Sequence, residues 1–468
     1  MTGPTRHLRS GISGAILYAL AAAGLILSQH AMVALAFRAL GAPLAIDDHF
    51  WLFPMRQLAM LPDISPLVAV GGFAFCLAIS AALVRLSLRR AERLGRGFAL
   101  ALTTMVPTLQ IVAALALVLL WPRRAEATPE RVGDPAPPHQ LAVGVLAGMA
   151  LIVAAVAVSA LTMGAYGWGL FIATPFLVGL ITGFIVNYRH GRSAAETLSA
   201  VAAAGMLGTM ALLMLALEGL MCVIVILPLA AGLAIIGGVI GRAVAKRFVD
   251  PARPFYGVAL LPLVFLLDAA MPPELPIATH ASTVIDAPAA IVWDSLTADR
   301  PVAEPPGLVG TAGLAYPVAS RLAGEGPGAH RHGVFSTGTA EERITVWRPA
   351  RTLAFRVVRQ PPAMEEMSPY RKLQTPHLTG YFDTGDTRFD LSPLAGGRTR
   401  LSVRADHVLR IDPVLYWGPI ARWAIGQNVG RVLTDVRRDA ERRAMTARQA
   451  ARTAAQLPHG HRIAQLAR

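Results

Sequence analysis

Long apolar runs fill the first 270 residues of the chain and short alternating runs fill the rest. A helix needs about 20 apolar residues to cross a bilayer. Runs of that character stand at 12–37, 67–88, 98–121, 141–163, 168–187, 196–217, 219–241 and 255–270. Lipid offers the backbone no hydrogen bonds, so such runs form helices, and eight spans are expected. The stretch 194–245 is too long for one crossing, and Glu218-Gly219 marks the turn that divides it. Ser28-Gln29-His30 interrupts the first run, which is too long for a cleaved signal peptide in spite of Ala34-Leu35-Ala36. A polar, Pro-rich loop over 122–140 separates a first group of spans (1–121) from a second (141–270).

Beyond Pro276 the apolar period drops to two, the mark of half-buried strands. Thr279–Asp286 reads as a strand, and Pro288 suits the first turn of a helix over Ala289–Thr297. A Pro/Gly-rich loop follows, then strand-like runs near 317–323, 330–338, 340–347, 352–360, 378–392 and 398–409. Asp412-Pro413 opens a long helix reaching about 443, with Leu415, Tyr416, Ile420, Trp423, Val429, Val432, Leu433 and Val436 near one face. The expected fold is therefore a multi-pass helical membrane domain followed by an α+β helix-grip domain over 277–443. In such a domain a curved antiparallel sheet wraps a C-terminal helix so that both apolar faces are buried. That packing can leave a concave apolar site of the kind small ligands use. Trp293, Tyr316, Phe335, Trp347, Phe355, Tyr416 and Trp423 are the aromatic side chains expected to form its core or its wall.

Composition sharpens the division. The 468 residues are 54% hydrophobic and 15% charged, against about 25% charged in an ordinary soluble domain, which excludes a soluble single-core enzyme. The net charge of +14 is almost all arginine and divides evenly about residue 270. A nucleic-acid surface needs a focused basic patch, and none precedes residue 437. Anionic lipid headgroups are the expected partner instead, also for the basic tail over 444–468. Cys76 and Cys222 lie in apolar runs without a CxxC partner, so no metal or redox motif exists and no cofactor is expected. Arginine in short loops should mark the cytoplasmic side. The cluster Arg85–Arg96 and the loops of the second group vote oppositely, which leaves the side of the C-terminal domain open.

Candidate chemistry is sparse. His30, Glu218 and Asp268 are the ionisable residues within the spans, functional by default, although Glu218 and Asp268 sit where a turn and a helix end would place them at the interface. Gly237 and Gly241 have the spacing of closely packed membrane helices. In the C-terminal part, His330-Arg331-His332 carries two imidazoles without a third metal-ligand spacing, and Arg331 can pair with Glu341 or Glu342. Glu365-Glu366 precede His377 in a Pro-flanked segment that reads as a rim loop. Asp406 and His407 are adjacent on a strand and so should face opposite ways. No GxSxG, HExxH or Cys/His arrangement is present, and Gly324, Gly326 and Gly328 lack the following helix of a phosphate loop.

Residues 279–297, with Ala287-Pro288 at the turn and Val292-Trp293 on the helix, resemble the opening of the SRPBCC superfamily, which includes START and polyketide cyclase/dehydrase-like domains. Ala315-Tyr316-Pro317, Arg331, Phe335-Ser336-Thr337-Gly338, Glu341-Glu342, Trp347 and Leu353-Ala354-Phe355 are similar to a bacterial branch in which this domain follows several membrane spans. The resemblance implies a helix-grip fold with a hydrophobic cavity, in a bacterial inner membrane, and it implies no single reaction. Three readings follow: a membrane-tethered module binding a lipid or other hydrophobic molecule, a cyclase- or dehydratase-type enzyme using Arg331, His332, Glu341, Glu342 or His377, and a protein-interaction module. Transport is a fourth, with few intramembrane charges to support it.

Overall fold

The computed structural model describes residues 4–59, 61, 65–94, 100–101, 104, 109–120, 138–247, 258–366 and 379–456. The Pro-rich segment 122–137 and the end of the tail, 457–468, lie outside the described residues. The chain divides into two compact units. The first is Met1–Leu275 together with Glu366–His377 and Arg410–Pro419; the second is Pro276–Glu365, Leu378–Leu409 and Ile420–Arg468.

The first unit is helical. Its first group comprises α1 (Pro4–Ala39), α2 (Asp48–Leu52), α3 (Pro54–Ala59), α4 (Pro66–Leu94) and α5 (Gln110–Leu119). Tyr18, Ala22, Ile26, Leu83, Ala114 and Leu117 form its core. The helix α1 runs unbroken through Ser28-Gln29-His30, where Ser28 Oγ donates to the Leu25 carbonyl at 2.6 Å and His30 Nδ1 to the Ile26 carbonyl at 2.8 Å. Arg90 of α4 donates to the carbonyls of Leu117 and Leu120 at 3.4 and 3.3 Å, a cation at the carbonyl end of α5.

The second group comprises α6 (Pro138–Val156), two π-helical turns (Ala157–Thr162 and Gly169–Ala173), α7 (Thr174–Asn187), α8 (Ala194–Met214), α9 (Leu220–Arg247) and α10 (Leu261–Ala270). Ser193 and Glu196 close a capping box at the start of α8, with Glu196 N–H donating to Ser193 Oγ at 3.2 Å and Ser193 N–H to Glu196 Oε2 at 2.9 Å. The helix α7 is buried on nearly every side, as its uniformly apolar sequence requires. Glycine makes its contact with α9 possible. A Cβ on Gly179 would lie 1.9 Å from the Ala234 carbonyl oxygen, and Cβ atoms on Gly237 and Gly241 would lie 2.0 and 2.1 Å from the carbonyl oxygens of Phe176 and Leu180. The two backbones thus touch directly, as the spacing of Gly237 and Gly241 anticipates.

Among the described residues five helices are long and apolar enough to cross a membrane: Ser13–Ala39, His139–Thr162, Gly169–Asn187, Ala194–Met214 and Leu220–Lys246. Eight were expected. The run at 67–88 lies in α4, whose last turns carry Arg85, Arg89, Arg90 and Arg93. The runs at 98–121 and 255–270 are represented by the shorter helices Gln110–Leu119 and Val258–Ala270.

The second unit is one eight-stranded antiparallel sheet curled into a half-barrel, with a long helix packed on its inner face. Its strands are β1 (Leu275–Ile285), β2 (Arg300–Pro301), β3 (Pro317–Ala323), β4 (His330–Phe335), β5 (Gly338–Arg348), β6 (Thr352–Arg359), β7 (Phe382–Leu394) and β8 (Arg398–Leu409). Their spatial order is β1-β8-β7-β6-β5-β4-β3-β2. Helix α11 (Ala289–Thr297) lies between β1 and β2, and a short α12 (Gly307–Thr311) occupies the Pro/Gly-rich stretch. The long helix α13 (Val414–Gln456) contributes Val429, Val432, Leu433, Val436, Ala440 and Ala444 to a core shared with Ile285, Val292, Trp293, Leu353, Phe389 and Leu401. Each large aliphatic side chain buried there stabilises the fold by about 1.5–3 kcal/mol. This is the expected helix-grip arrangement. The helix continues past residue 443 because Ala, Arg, Gln and Met, which dominate its last turns, are strong helix formers.

Candidate functional site

The inner face of the sheet is apolar at most positions, so its polar exceptions define the candidate site. On β5, Ala340, Glu342 and Ile344 alternate inward, at 2%, 4% and 1% exposure. The register places Arg331 of β4 opposite Glu342, and Arg331 Nη1 donates to Glu342 Oε2. The Arg331 guanidinium also lies 4.2 Å above the Phe355 ring centroid, a cation–π contact. Gly333, two residues along β4, leaves room for this pair: a Cβ there would stand 2.6 Å from Glu342 Oε1. Burial pushes the Glu342 carboxyl above the usual carboxylate range, and Arg331 pulls it back down in part.

A pH-dependent outcome follows. A raised carboxyl pKa stabilises the fold at low pH, and that contribution is lost as the pH climbs through the folded-state value. Arg331→Met removes the group that holds Glu342 down. The variant should lose about 2 kcal/mol at neutral pH, the cost of an unpaired buried charge reduced for the partial exposure of Arg331. Thermal melts should show the gap from wild type closing toward about pH 4. A gap independent of pH would show that the pair contributes by packing alone.

The second inward polar group is His407 on β8, 9% exposed. Its ring stacks on Phe382, centroids 5.3 Å apart, and its Nδ1 lies 3.2 Å from Thr384 Oγ1. Its Nε2 is buried and has no hydrogen-bond partner. Burial pushes the imidazole pKa down to about 4, with Asp406 opposing weakly. The sign is that of a depressed base: the stabilisation is present above the ordinary histidine value and is lost as the pH falls through about 4. The His407 imidazole resonances should therefore stay those of the neutral ring from about pH 8 to about pH 5. A transition near the ordinary histidine value would mean that water reaches the ring. Asp406 faces the other way and pairs with Arg404 at 3.2 Å on the exposed face.

The remaining sequence candidates are dispersed. Glu341 faces outward and is paired with Arg359, and His332 stands opposite it in the β4–β5 register. The suggested meeting of Arg331, Glu342, His332 and Glu341 is thus divided between the two faces of the sheet. His377 lies outside the described residues. Trp293 and Phe355 are core residues, with Trp347 edge-on to Trp293 at 4.9 Å. Phe335 is half-buried at the end of β4. Tyr316 lies beneath the Arg431 guanidinium at 5.2 Å. Trp423 is 42% exposed. Tyr416 groups with the first unit, where its hydroxyl donates to the Val225 carbonyl.

The first unit holds a set of buried charges, of which sequence reasoning missed the pairing of Arg56 with Asp412. Arg56, 0% exposed, donates to Asp412, 1% exposed, through Nε at 3.0 Å and through Nη2. Glu366 is buried rather than part of an open rim, and it accepts from the Met221 N–H at 3.2 Å at the start of α9. Gly219 has no side chain there because a Cβ would meet Glu366 Oε2 at 2.1 Å. Glu218 accepts from the Tyr166 hydroxyl at 2.8 Å, and Asp268 accepts from the Gly169 N–H at 2.7 Å. Both carboxylates are inside the unit, not at an open interface. Glu218 and Asp268 were visible as charges within long apolar runs, whereas Arg56 and Asp412 lie outside those runs and carry no such signal.

No family model matches the chain, and no curated protein matches it. Among solved structures, the chain is similar to a protein of Mesorhizobium loti, at 14% identity, over 36% of this chain and 98% of that one, with a TM-score of 0.23. It is also similar to an aromatase/cyclase from Streptomyces sp. R1128, at 22% identity over 36% and 95% of the two chains, TM-score 0.23. A truncated norcoclaurine synthase from Thalictrum flavum is similar at 12% identity over 33% and 92%, TM-score 0.19. The helix-grip description stands on the strand order and on the packing of α13.

Proposed function

We propose that this is a multi-pass protein of a bacterial inner membrane whose helix-grip unit binds a lipid or other hydrophobic molecule. The observation that carries the reading is the His407 Nε2, a buried polar atom with no partner on an inner face that is apolar at most positions. Buried polar atoms are almost always hydrogen-bonded, so one left open calls for a partner from outside the chain, a water or a ligand. Chain connectivity supports a membrane source for the occupant, because only Met271–Glu274 separates the end of α10 from the start of β1. The arginine excess then serves anionic headgroups rather than nucleic acid.

Native mass spectrometry of the full chain released from detergent, followed by solvent extraction, tests this. A stoichiometric apolar molecule is the expected result. A chain that is empty as isolated and takes up no apolar probe would overturn it. A second reading, a cyclase- or dehydratase-type enzyme, is favoured by the same neutral imidazole, which is suited to moving a proton. Conversion of the extracted molecule on prolonged incubation with fresh protein would distinguish the two.

A further inference from the structure

The polar groups inside the helix-grip unit also specify what kind of polar end its occupant carries; this inference rests on the binding role proposed above. Three observations bear on it. The Arg331 charge on the inner face is already met by Glu342. Arg431 is held by the carbonyls of Glu304 and Pro317, and Arg300 is paired with Asp435 and Asp439. His407 is neutral at physiological pH.

An anionic headgroup would enter an interior where Arg331, Arg431 and Arg300 are already engaged, and an unpaired buried charge is strongly unfavourable. A carboxylate is also an acceptor only, so it serves His407 Nε2 only in the tautomer that carries the proton there. A hydroxyl is different because it donates and accepts. If Thr384 donates to His407 Nδ1, then Nε2 carries the proton and a hydroxyl oxygen accepts it. If Nδ1 donates to Thr384, then Nε2 is bare and the hydroxyl proton satisfies it. A carbonyl serves only the first tautomer. We infer that the occupant is a neutral hydrophobic alcohol whose hydroxyl meets His407 Nε2.

The test is photo-crosslinking of the full chain in nanodiscs with a long-chain fatty alcohol bearing a mid-chain diazirine, beside its matched fatty acid, at neutral pH. Labelled positions are read by peptide mass spectrometry. The alcohol should label peptides of β4, β5 or β8, and the acid should label them about tenfold less, the loss expected when one buried hydrogen bond is replaced by an unmatched group. His407→Phe keeps the ring stack and removes the nitrogen, and should reduce labelling by the alcohol about tenfold. His407→Gln restores a donor and an acceptor and should recover part of it. Should His407→Phe fail to fold, the alcohol-to-acid comparison in the wild-type chain decides alone. Equal labelling by alcohol and acid would overturn the alcohol assignment and leave the binding role standing. Absence of label from these strands with either probe, together with an empty native mass spectrum, would remove the binding role itself.

Discussion

Replacing Arg56 by Met is expected to destabilise the protein by about 3–5 kcal/mol, because Asp412 is left as a buried, uncompensated charge. The two side chains are 0% and 1% exposed, so water cannot take the place of the lost partner. Arg56 also lies 3.8 Å above the Phe53 ring, and its removal opens that stack. The measurement is the unfolding temperature of the detergent-solubilised chain, followed by a fluorescent thiol dye or by loss of the monodisperse chromatographic peak. Arg56→Met combined with Asp412→Leu should recover much of the loss, since a buried ion pair replaced as a whole by apolar groups is often neutral. A double variant as unstable as the single one would assign the damage to packing around Phe53 rather than to charge.

The other large effect is expected where α7 meets α9. Gly179→Ala places a methyl group 1.9 Å from the Ala234 carbonyl oxygen, and a backbone atom cannot swing aside as a side chain can. The helices must separate, at a cost of about 3 kcal/mol, the upper end for overpacked sites. Gly237→Ala should behave alike from the opposite helix, with its Cβ 2.0 Å from the Phe176 carbonyl oxygen. Gly205→Ala in α8 is the control. Nothing lies within 4 Å of its Cβ, and alanine's better helix propensity should leave stability unchanged or raise it by up to about 1 kcal/mol. If all three substitutions shift the unfolding temperature equally, close backbone contact is not what glycine supplies here.

The architecture was largely legible because it rests on local periodicity. The alternation in β4 to β8 and the face of α13 follow from which side of each element is buried, and a sequence records that directly. The inward position of Glu342 and the outward position of Glu341 were not legible, because both follow from the register of β5 against β4 and from its bulges against β6. Alternation alone separates the two residues without saying which of them turns in. The period of two separates Asp406 from His407, as the structure bears out, but it does not say that His407 turns inward, where Nε2 has no partner. The Arg56–Asp412 pair joins residues 356 positions apart, and no pattern of spacing can announce such a contact. Glu366 was hidden in a different way, since Pro-rich surroundings suggest an open loop and only Gly219, bare on the far helix, hints at a buried neighbour.

The pairing of Arg56 with Asp412 also has a consequence in time. Arg56 leaves the ribosome 356 residues ahead of its counter-charge. Glu366, which meets the amide of Met221, is likewise a late arrival for an early helix. Until then Arg56 has to wait in water or among headgroups, since it cannot be enclosed without a counter-charge. The helical unit is therefore finished last, by segments translated after most of its helices, and a ribosome that stops early leaves an insertion intermediate with an open charged seam. Such a product should be a ready target for membrane proteases, which would make completion of the C-terminal part a checkpoint for the whole protein.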